Sequence, residues 1–431
     1  MPPLYIRLLA SLSILLALAA CTKEANISPL APSRLTFSGQ AGQAVAESQQ
    51  ITFQNTGNAA LTYSVATTAT WLKISAGGFG TVSPQQTAVF TVRTTCINAP
   101  QGISNGVLNL TSNAPAPANF QTVNVQLTCS GTNPSPNPTP NPGAYDIEIR
   151  GLGSGFTPAR QAVFEQAAAL WSSVIIGDLA DVTIQENDLP ANEACEFGEP
   201  AFAGTIDDLL IYASISPIDG PGQILGRAGP SFVRTGNNLT TIGCMQFDVD
   251  DVADLEAKGT FDEVILHEMG HVIGIGPLWN TNTRNLLSFT TNPPGQACNT
   301  RGVIFTEKPG FTGSNASAEF AALGRSGNVP VEDQGGPGTQ CSHWDEEYFS
   351  TEIMTGFLGP GSVNPFSRMT IASLKDLGYV VDFSRAEPYS IPACSPNCTR
   401  LQSDLEPIRE IILSPKFAVS PDGKITTLPT E

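Results

Sequence analysis

His267-Glu268-Met269-Gly270-His271 places two imidazoles on either side of a carboxylate, in a chain with only three histidines. Four residues is just over one helical turn, so on a helix both rings project from the same face and can grip one zinc ion. Glu268, one position along, can reach a water beside that ion without occupying a ligand place. The chemistry served by this spacing is metal-assisted hydrolysis. Zinc polarises a carbonyl and makes a neighbouring water acidic, and Glu268 takes that water's proton and returns it to the leaving amine. The plainer alternative is a buried histidine pair on a structural helix.

Catalytic zinc takes three protein ligands and keeps a fourth position open. A carboxylate from the next helix could be the third, but no Asp or Glu occurs between Val272 and Thr306. His343, the remaining histidine, is therefore the expected third ligand.

These residues need a helix and a sheet to hold them. Thr260 and Glu263 are spaced as a capping box for a helix beginning near Phe261. Thr157-Pro158 reads as an N-cap with proline at the first helical position, opening a helix whose stripe is Phe164, Ala167, Trp171, Val174 and Ile175. Alternation of Tyr145, Ile147 and Ile149 with charged residues predicts a half-buried strand, and further strands are predicted over Leu209–Ser214, Gln223–Ala228 and Thr240–Phe247. The acidic run Asp248, Asp250, Asp251 and Asp254 lacks the spacing of a calcium-binding EF-hand and reads as a solvated turn ahead of the helix.

His267-Glu268-x-x-His271-x-x-Gly274 resembles the opening of the metzincin signature, in which glycine ends the helix and turns the chain back beneath the metal. The short form of that signature would have histidine at 277, where this chain has Pro277. Leishmanolysin-like metzincins carry a long insertion ahead of the third histidine, and residues 272–342 lie between His271 and His343 here. Glu352-Ile353-Met354-Thr355-Gly356 resembles that family's Met-turn, and Ser367 to Leu377, closed by Gly378, the helix after it. Ile224 to Ala228 is similar to the metzincin edge strand, which binds extended peptide by β-augmentation. An ordinary sheet strand is the alternative there. The resemblance runs from about Tyr145 to Asp382. It implies a zinc metalloendopeptidase with His267, His271 and His343 on one Zn2+, Glu268 as general base and Met354 as an apolar floor. The fold it implies is an α+β metzincin-like catalytic domain. Tyr348 and Tyr379 are candidates for a metal-side tyrosine, and nothing in the motif chooses between them.

At the N-terminus, Arg7 precedes an apolar run that ends in Leu18-Ala19-Ala20-Cys21, which resembles a bacterial lipobox. Residues 1–20 are then a signal peptide and Cys21 is the lipidated mature N-terminus, with Thr22 favouring an outer-membrane or cell-surface position. Nine cysteines less Cys21 leave an even number in an exported chain. Order along the chain suggests Cys96–Cys129, Cys195–Cys244, Cys298–Cys341 and Cys394–Cys398, of which only the first, alone in its module, is constrained. Residues 131–143, with proline at alternate positions, form a stiff polyproline-II linker. Ahead of it, 28–130 reads as an all-β immunoglobulin-like sandwich, from strands such as Gln50–Phe53 and Ala88–Val92 separated by turn residues. Behind it come the catalytic module, 144–393, and a tail, 394–431.

A net charge of −18 argues against nucleic acid as a partner. The expected partners are a protein or peptide substrate and, through the lipid anchor, the membrane. The rival function is surface adhesion or binding by a catalytically silent protein that retains the metal fold. The intact Glu268 speaks against it, since pure binding needs no general base.

Overall fold

The computed structural model describes residues 23–429 apart from 41–43, 70, 97–98, 100–101, 131–142, 259, 282–283, 337, 351, 359–363, 388 and 392–405. Cys21, nearly all of the linker, and Cys394 and Cys398 lie outside the described residues.

The N-terminal module is a β-sandwich. Its five-stranded sheet runs in spatial order Arg34–Gln40, Phe120–Ser130, Gly102–Ser112, Leu61–Ala66 and Phe79–Val82, and its three-stranded sheet runs Ala44–Gln54, Thr87–Thr95 and Leu72–Ala76. Val123, Val125, Leu127 and Cys129 show why the sheets close on each other. Successive side chains on a strand point to opposite faces, and this inward set is apolar and buried. Cys129 is bonded to Cys96, as expected.

The C-terminal module is built on a mixed sheet. Its first strand β1 (Ile147–Leu152) leads into helix α1 (Pro158–Val174), then come β2 (Leu209–Ile215), β3 (Gly226–Arg234), β4 (Thr240–Phe247), α2 (Val249–Lys258) and α3 (Phe261–Ile273). Helix α4 (Arg368–Leu377) follows the long middle segment, and the chain ends in three short strands, β5 (Glu410–Ile412), β6 (Phe417–Val419) and β7 (Ile425–Thr427). Strands β1, β2 and β4 are mutually parallel, and β3 runs antiparallel to β4.

Period-two alternation splits β2 cleanly. Leu209, Ile211, Ala213 and Ile215 face a core shared with Phe164, Trp171, Val264 and Met269 of α1 and α3. Leu210 and Tyr212 face the other way, into a second core with Val182, Ile184, Phe202 and Ile206. With both faces covered, every residue of β2 and β4 is buried. The Cys195–Cys244 bond ties this second core to β4, and Cys298–Cys341 braces the middle segment, both pairs as expected.

Thr157 caps α1 by accepting from Arg160 N–H, with Pro158 at the first position. Ser367 caps α4 in the same way, and Gly378 closes it at a left-handed φ of 109°. The capping box expected at α3 does not form, because Thr260 makes no side-chain cap. Glu263 is drawn instead to Lys73 of the N-terminal module, 3.7 Å away, and to the Asn364 amide at 3.3 Å. Asp248 is no solvated turn. It is buried and accepts from the N–H groups of Ile218, Asp219, Gly220 and Asp250, tying the loop before β3 to the start of α2. The strand expected over Gln223–Ala228 starts at Gly226 and continues to Arg234. Nor is the segment after residue 405 a tail apart from the module, since β5 and β6 pair parallel to β3 and Val419 is buried in the second core.

Cross-linking residues 33 apart, as Cys96–Cys129 does, removes about 3–4 kcal/mol of unfolded-chain entropy. We expect Cys96→Ser with Cys129→Ser to destabilise the N-terminal module by that amount in urea titrations while the unfolding of the C-terminal module keeps its midpoint. A shared loss by both modules would show that they unfold as one unit.

Candidate metal centre

Helix α3 is buried along nearly its whole length, so His267 and His271 project inward to a site sealed from solvent. It stops at Gly274, whose φ of 130° a side chain would strain and whose Cβ would meet Leu278 at 2.5 Å. The turn beyond it passes under the segment carrying His343, where a Cβ on Gly276 would lie 2.6 Å from the Ser342 carbonyl oxygen. His343 is held on both flanks. Glu332 N–H donates to its carbonyl, and Trp344 N–H donates to Met354 O at 2.9 Å while the Trp344 indole donates to Thr370 Oγ1.

The three imidazoles meet at one point. Their Nε2 atoms form a triangle with every side 3.0 Å. On the far side of each ring, Nδ1 lies on a backbone carbonyl: His267 on Ile353 at 2.6 Å, His271 on Ile275 at 2.7 Å and His343 on Thr339 at 2.8 Å. A carbonyl only accepts, so each Nδ1 carries a proton, and in the neutral ring Nε2 keeps a bare lone pair; the Glu410 carboxylate beside His343 raises that ring's pKa against the cost of burial. Three lone pairs facing one another in a sealed site repel unless a cation lies between them, so the short Nε2 separations are not hydrogen bonds. Burial holds the His271 imidazole well below its ordinary pKa, which keeps it neutral and fit to ligate. A triangle of this size has its corners about 1.7 Å from its centre, so a point about 2.0–2.1 Å from all three nitrogens, the usual Zn–N length, exists just off its plane. The donor set fits zinc.

A fourth group stands at the same point. The Glu410 carboxylate is fully buried, with Oε1 2.9 Å from His343 Nε2 and Oε2 3.7 and 3.6 Å from those of His267 and His271. Neither oxygen meets a donor in hydrogen-bonding geometry among the described residues, which suits oxygens aimed at a shared cation. Glu268 is buried beside them, also without a hydrogen-bond partner among the described residues. Burial first, and the Glu410 charge second, push its carboxyl well above the ordinary range.

Glu410 was not foreseen. The gap in acidic residues after Val272 pointed away from any carboxylate, and this one comes from far downstream. Its signal is an inverted pattern, in which Ile408 and Glu410 are buried while Arg409 and Ile411 between and after them face solvent. The edge of β3 is likewise not free: β5 lies along it.

Met354 packs under α3. A Cβ on Gly270 would come within 2.8 Å of the Met354 sulfur and 3.0 Å of Trp171, so glycine between the two histidines lets the turn approach. Glu352 anchors that turn, accepting from Met354 N–H at 2.7 Å, Ser367 Oγ at 2.6 Å and Thr370 Oγ1. Of the two tyrosines considered, Tyr379 spends its hydroxyl on Ile273 O at 2.9 Å, and the Tyr348 ring lies under the Lys308 ammonium.

Residues 199–401 match the family model for leishmanolysin. Residues 29–130 match the model described as the viral BACON domain. A ciliated left-right organizer metallopeptidase of Xenopus laevis is 28% identical over 123 residues, 27% of this chain and 17% of that protein. A leishmanolysin-like peptidase of Drosophila pseudoobscura pseudoobscura is 43% identical over 61 residues, 14% of this chain and 9% of its own. The chain thus spans less than a fifth of the length of these relatives. A solved structure of a Porphyromonas gingivalis W83 protein of unknown function superposes with a TM-score of 0.22 at 17% identity, covering 26% of this chain and 50% of that one. The leishmanolysin likeness points to a metallopeptidase, and it covers His267, Glu268, His271 and His343 but stops short of Glu410.

Replacing Glu352 by Ala would strand two buried N–H groups and two hydroxyls, at a cost of about 3 kcal/mol. We expect Glu352→Ala to lower the thermal midpoint of the C-terminal module and to weaken its metal binding through the displaced Ile353 carbonyl. Unchanged metal affinity at equilibrium dialysis would show that His267 does not depend on this anchor.

Proposed function

We propose that the chain is a zinc metalloendopeptidase with a metzincin-like catalytic module, in which His267, His271 and His343 hold one Zn2+ and Glu268 is the general base. The observation that carries this reading is the triangle of Nε2 lone pairs with a buried carboxylate at its side. A bound zinc ion would supply Lewis acidity toward a peptide carbonyl and lower the pKa of water. The chain's own part is then clear. Glu268 holds and moves the proton, from the attacking water to the leaving amine. The backbone of β3 at Gly226–Ala228, once β5 leaves it, orients an extended substrate by strand pairing, and the buried surroundings exclude bulk water. Met354 acts as an apolar support and not as a ligand.

The Leu18-Ala19-Ala20-Cys21 sequence supports export and lipid anchoring at Cys21, on the outer membrane or cell surface, with the N-terminal sandwich and the proline-rich linker sequence as a spacer from the lipid. Three disulfides in the described residues suit an oxidising compartment. The substrates are then extracellular proteins or peptides.

The test uses zinc-loaded chain and zinc-loaded chain carrying Glu410→Ala with Gly338→Ala, whose added Cβ would lie 2.4 Å from the carbonyl oxygen of residue 410 and push that strand from β3, each incubated with casein. Hydrolysis blocked by a chelator, and lowered at least about 100-fold by adding Glu268→Gln with zinc still bound, is expected for a general base. Hydrolysis by neither chain, with one zinc per chain confirmed by metal analysis, would overturn the assignment.

A further inference from the structure

The segment that brings Glu410 to the metal centre also occupies the place a substrate needs. Strand β5 lies parallel to β3, with Glu410 beside Gly226, Ile411 beside Arg227 and Ile412 beside Ala228. Leu225 N–H donates to Arg409 O and Leu413 N–H to Ala228 O, both at 2.7 Å, so the backbone groups on the outer edge of β3 are taken. Across the cleft, Ile408 N–H donates to Gly356 O at the end of the Met354 turn. The segment therefore spans from one wall to the other.

The surroundings are shaped to receive it. Gly338 holds a φ of 106°, and a Cβ there would lie 2.4 Å from the Glu410 carbonyl oxygen; a Cβ on Gly229 would lie 2.2 Å from that of Leu413. Side chains at either position would drive the strand out. The rest of the terminus anchors it, with Phe417 stacked on Phe232 at 4.6 Å and Val419 in the second core. What faces the three imidazoles is a carboxylate with no leaving amine behind it, so the segment is held as an occupant and offers no bond to cleave.

We propose that Glu410 is the fourth zinc ligand and that Ile408–Leu413 is a built-in plug, which keeps the peptidase latent until this strand is withdrawn from β3. This rests on the zinc peptidase reading above. An extended substrate and β5 compete for the same edge, and an attacking water and the Glu410 carboxylate compete for the same side of the metal. Because β6 and β7 belong to the sheet, truncating the terminus would damage the fold, and opening the site calls for exchange of one side chain.

The experiment compares full-length wild type, Glu410→Ala and the isosteric Glu410→Gln, each loaded with Co2+ for spectroscopy and with Zn2+ for hydrolysis. Acetohydroxamate, a small metal chelator that needs an open coordination position, is the probe. A plug in place more than nine-tenths of the time weakens probe binding at least about tenfold. The expected result is that acetohydroxamate shifts the visible Co2+ bands of both variants at concentrations at least about tenfold below those needed for wild type, and that casein hydrolysis rises when Gly338→Ala, whose Cβ would lie 2.4 Å from the Glu410 carbonyl oxygen and push β5 from β3, is added to Glu410→Ala. Equal probe affinity in all three chains would overturn the plug. Loss of the metal from both variants would also overturn it, by making Glu410 a permanent structural ligand. Improved probe binding without hydrolysis in any chain, the chain carrying both Gly338→Ala and Glu410→Ala included, would uphold the plug and sink the peptidase reading instead.

Discussion

Three backbone carbonyls decide the character of this site. By accepting from Nδ1 of His267, His271 and His343 they fix the tautomer of every ring and turn three lone pairs toward one point. The surrounding structure holds those carbonyls in place against the repulsion this creates. Ile275 follows the glycine stop of α3, Ile353 belongs to the turn pinned by Glu352, and Thr339 lies just ahead of Cys341, which is bonded to Cys298. Each ligand is thus oriented by a different piece of chain, so the centre exists only when the sheet, α3 and the middle segment are assembled together.

Packing explains the sequence between and around the histidines. Gly270 is small because Met354 and Trp171 press against that turn of the helix, and the Trp171 indole donates to Leu266 O at 3.0 Å from α1. Glu352 is a buried carboxylate whose lone pairs are filled by two N–H groups and two hydroxyls, which makes its burial tolerable. These contacts couple the Met354 turn, α1 and α4 to the metal-binding face of α3.

Much of this was legible in the residues. Helical spacing placed His267 and His271 on one face, Thr157-Pro158 and Ser367 marked real helix starts, and the alternation from Tyr145 to Ile149 and the strand-like runs of β2 and β4 marked real strands. Local signals failed where a distant partner competed. Glu263 had the right offset for a capping box, yet Lys73 and Asn364 offered it better company. Asp248 looked like solvated charge, but four N–H groups from its own and a neighbouring loop bury it. Glu410 was the largest omission, since parallel pairing of β5 with a strand roughly half the chain away leaves no periodic trace in three residues.

On this reading one cation sits at the meeting point of three imidazoles and the Glu410 carboxylate. Anomalous diffraction from crystals of the full-length chain, collected on either side of the zinc absorption edge, tests it most directly. A single zinc peak at bonding distance from all three Nε2 atoms and one Glu410 oxygen is the expected result. A map with no zinc peak there, from protein grown in excess zinc, would contradict the account.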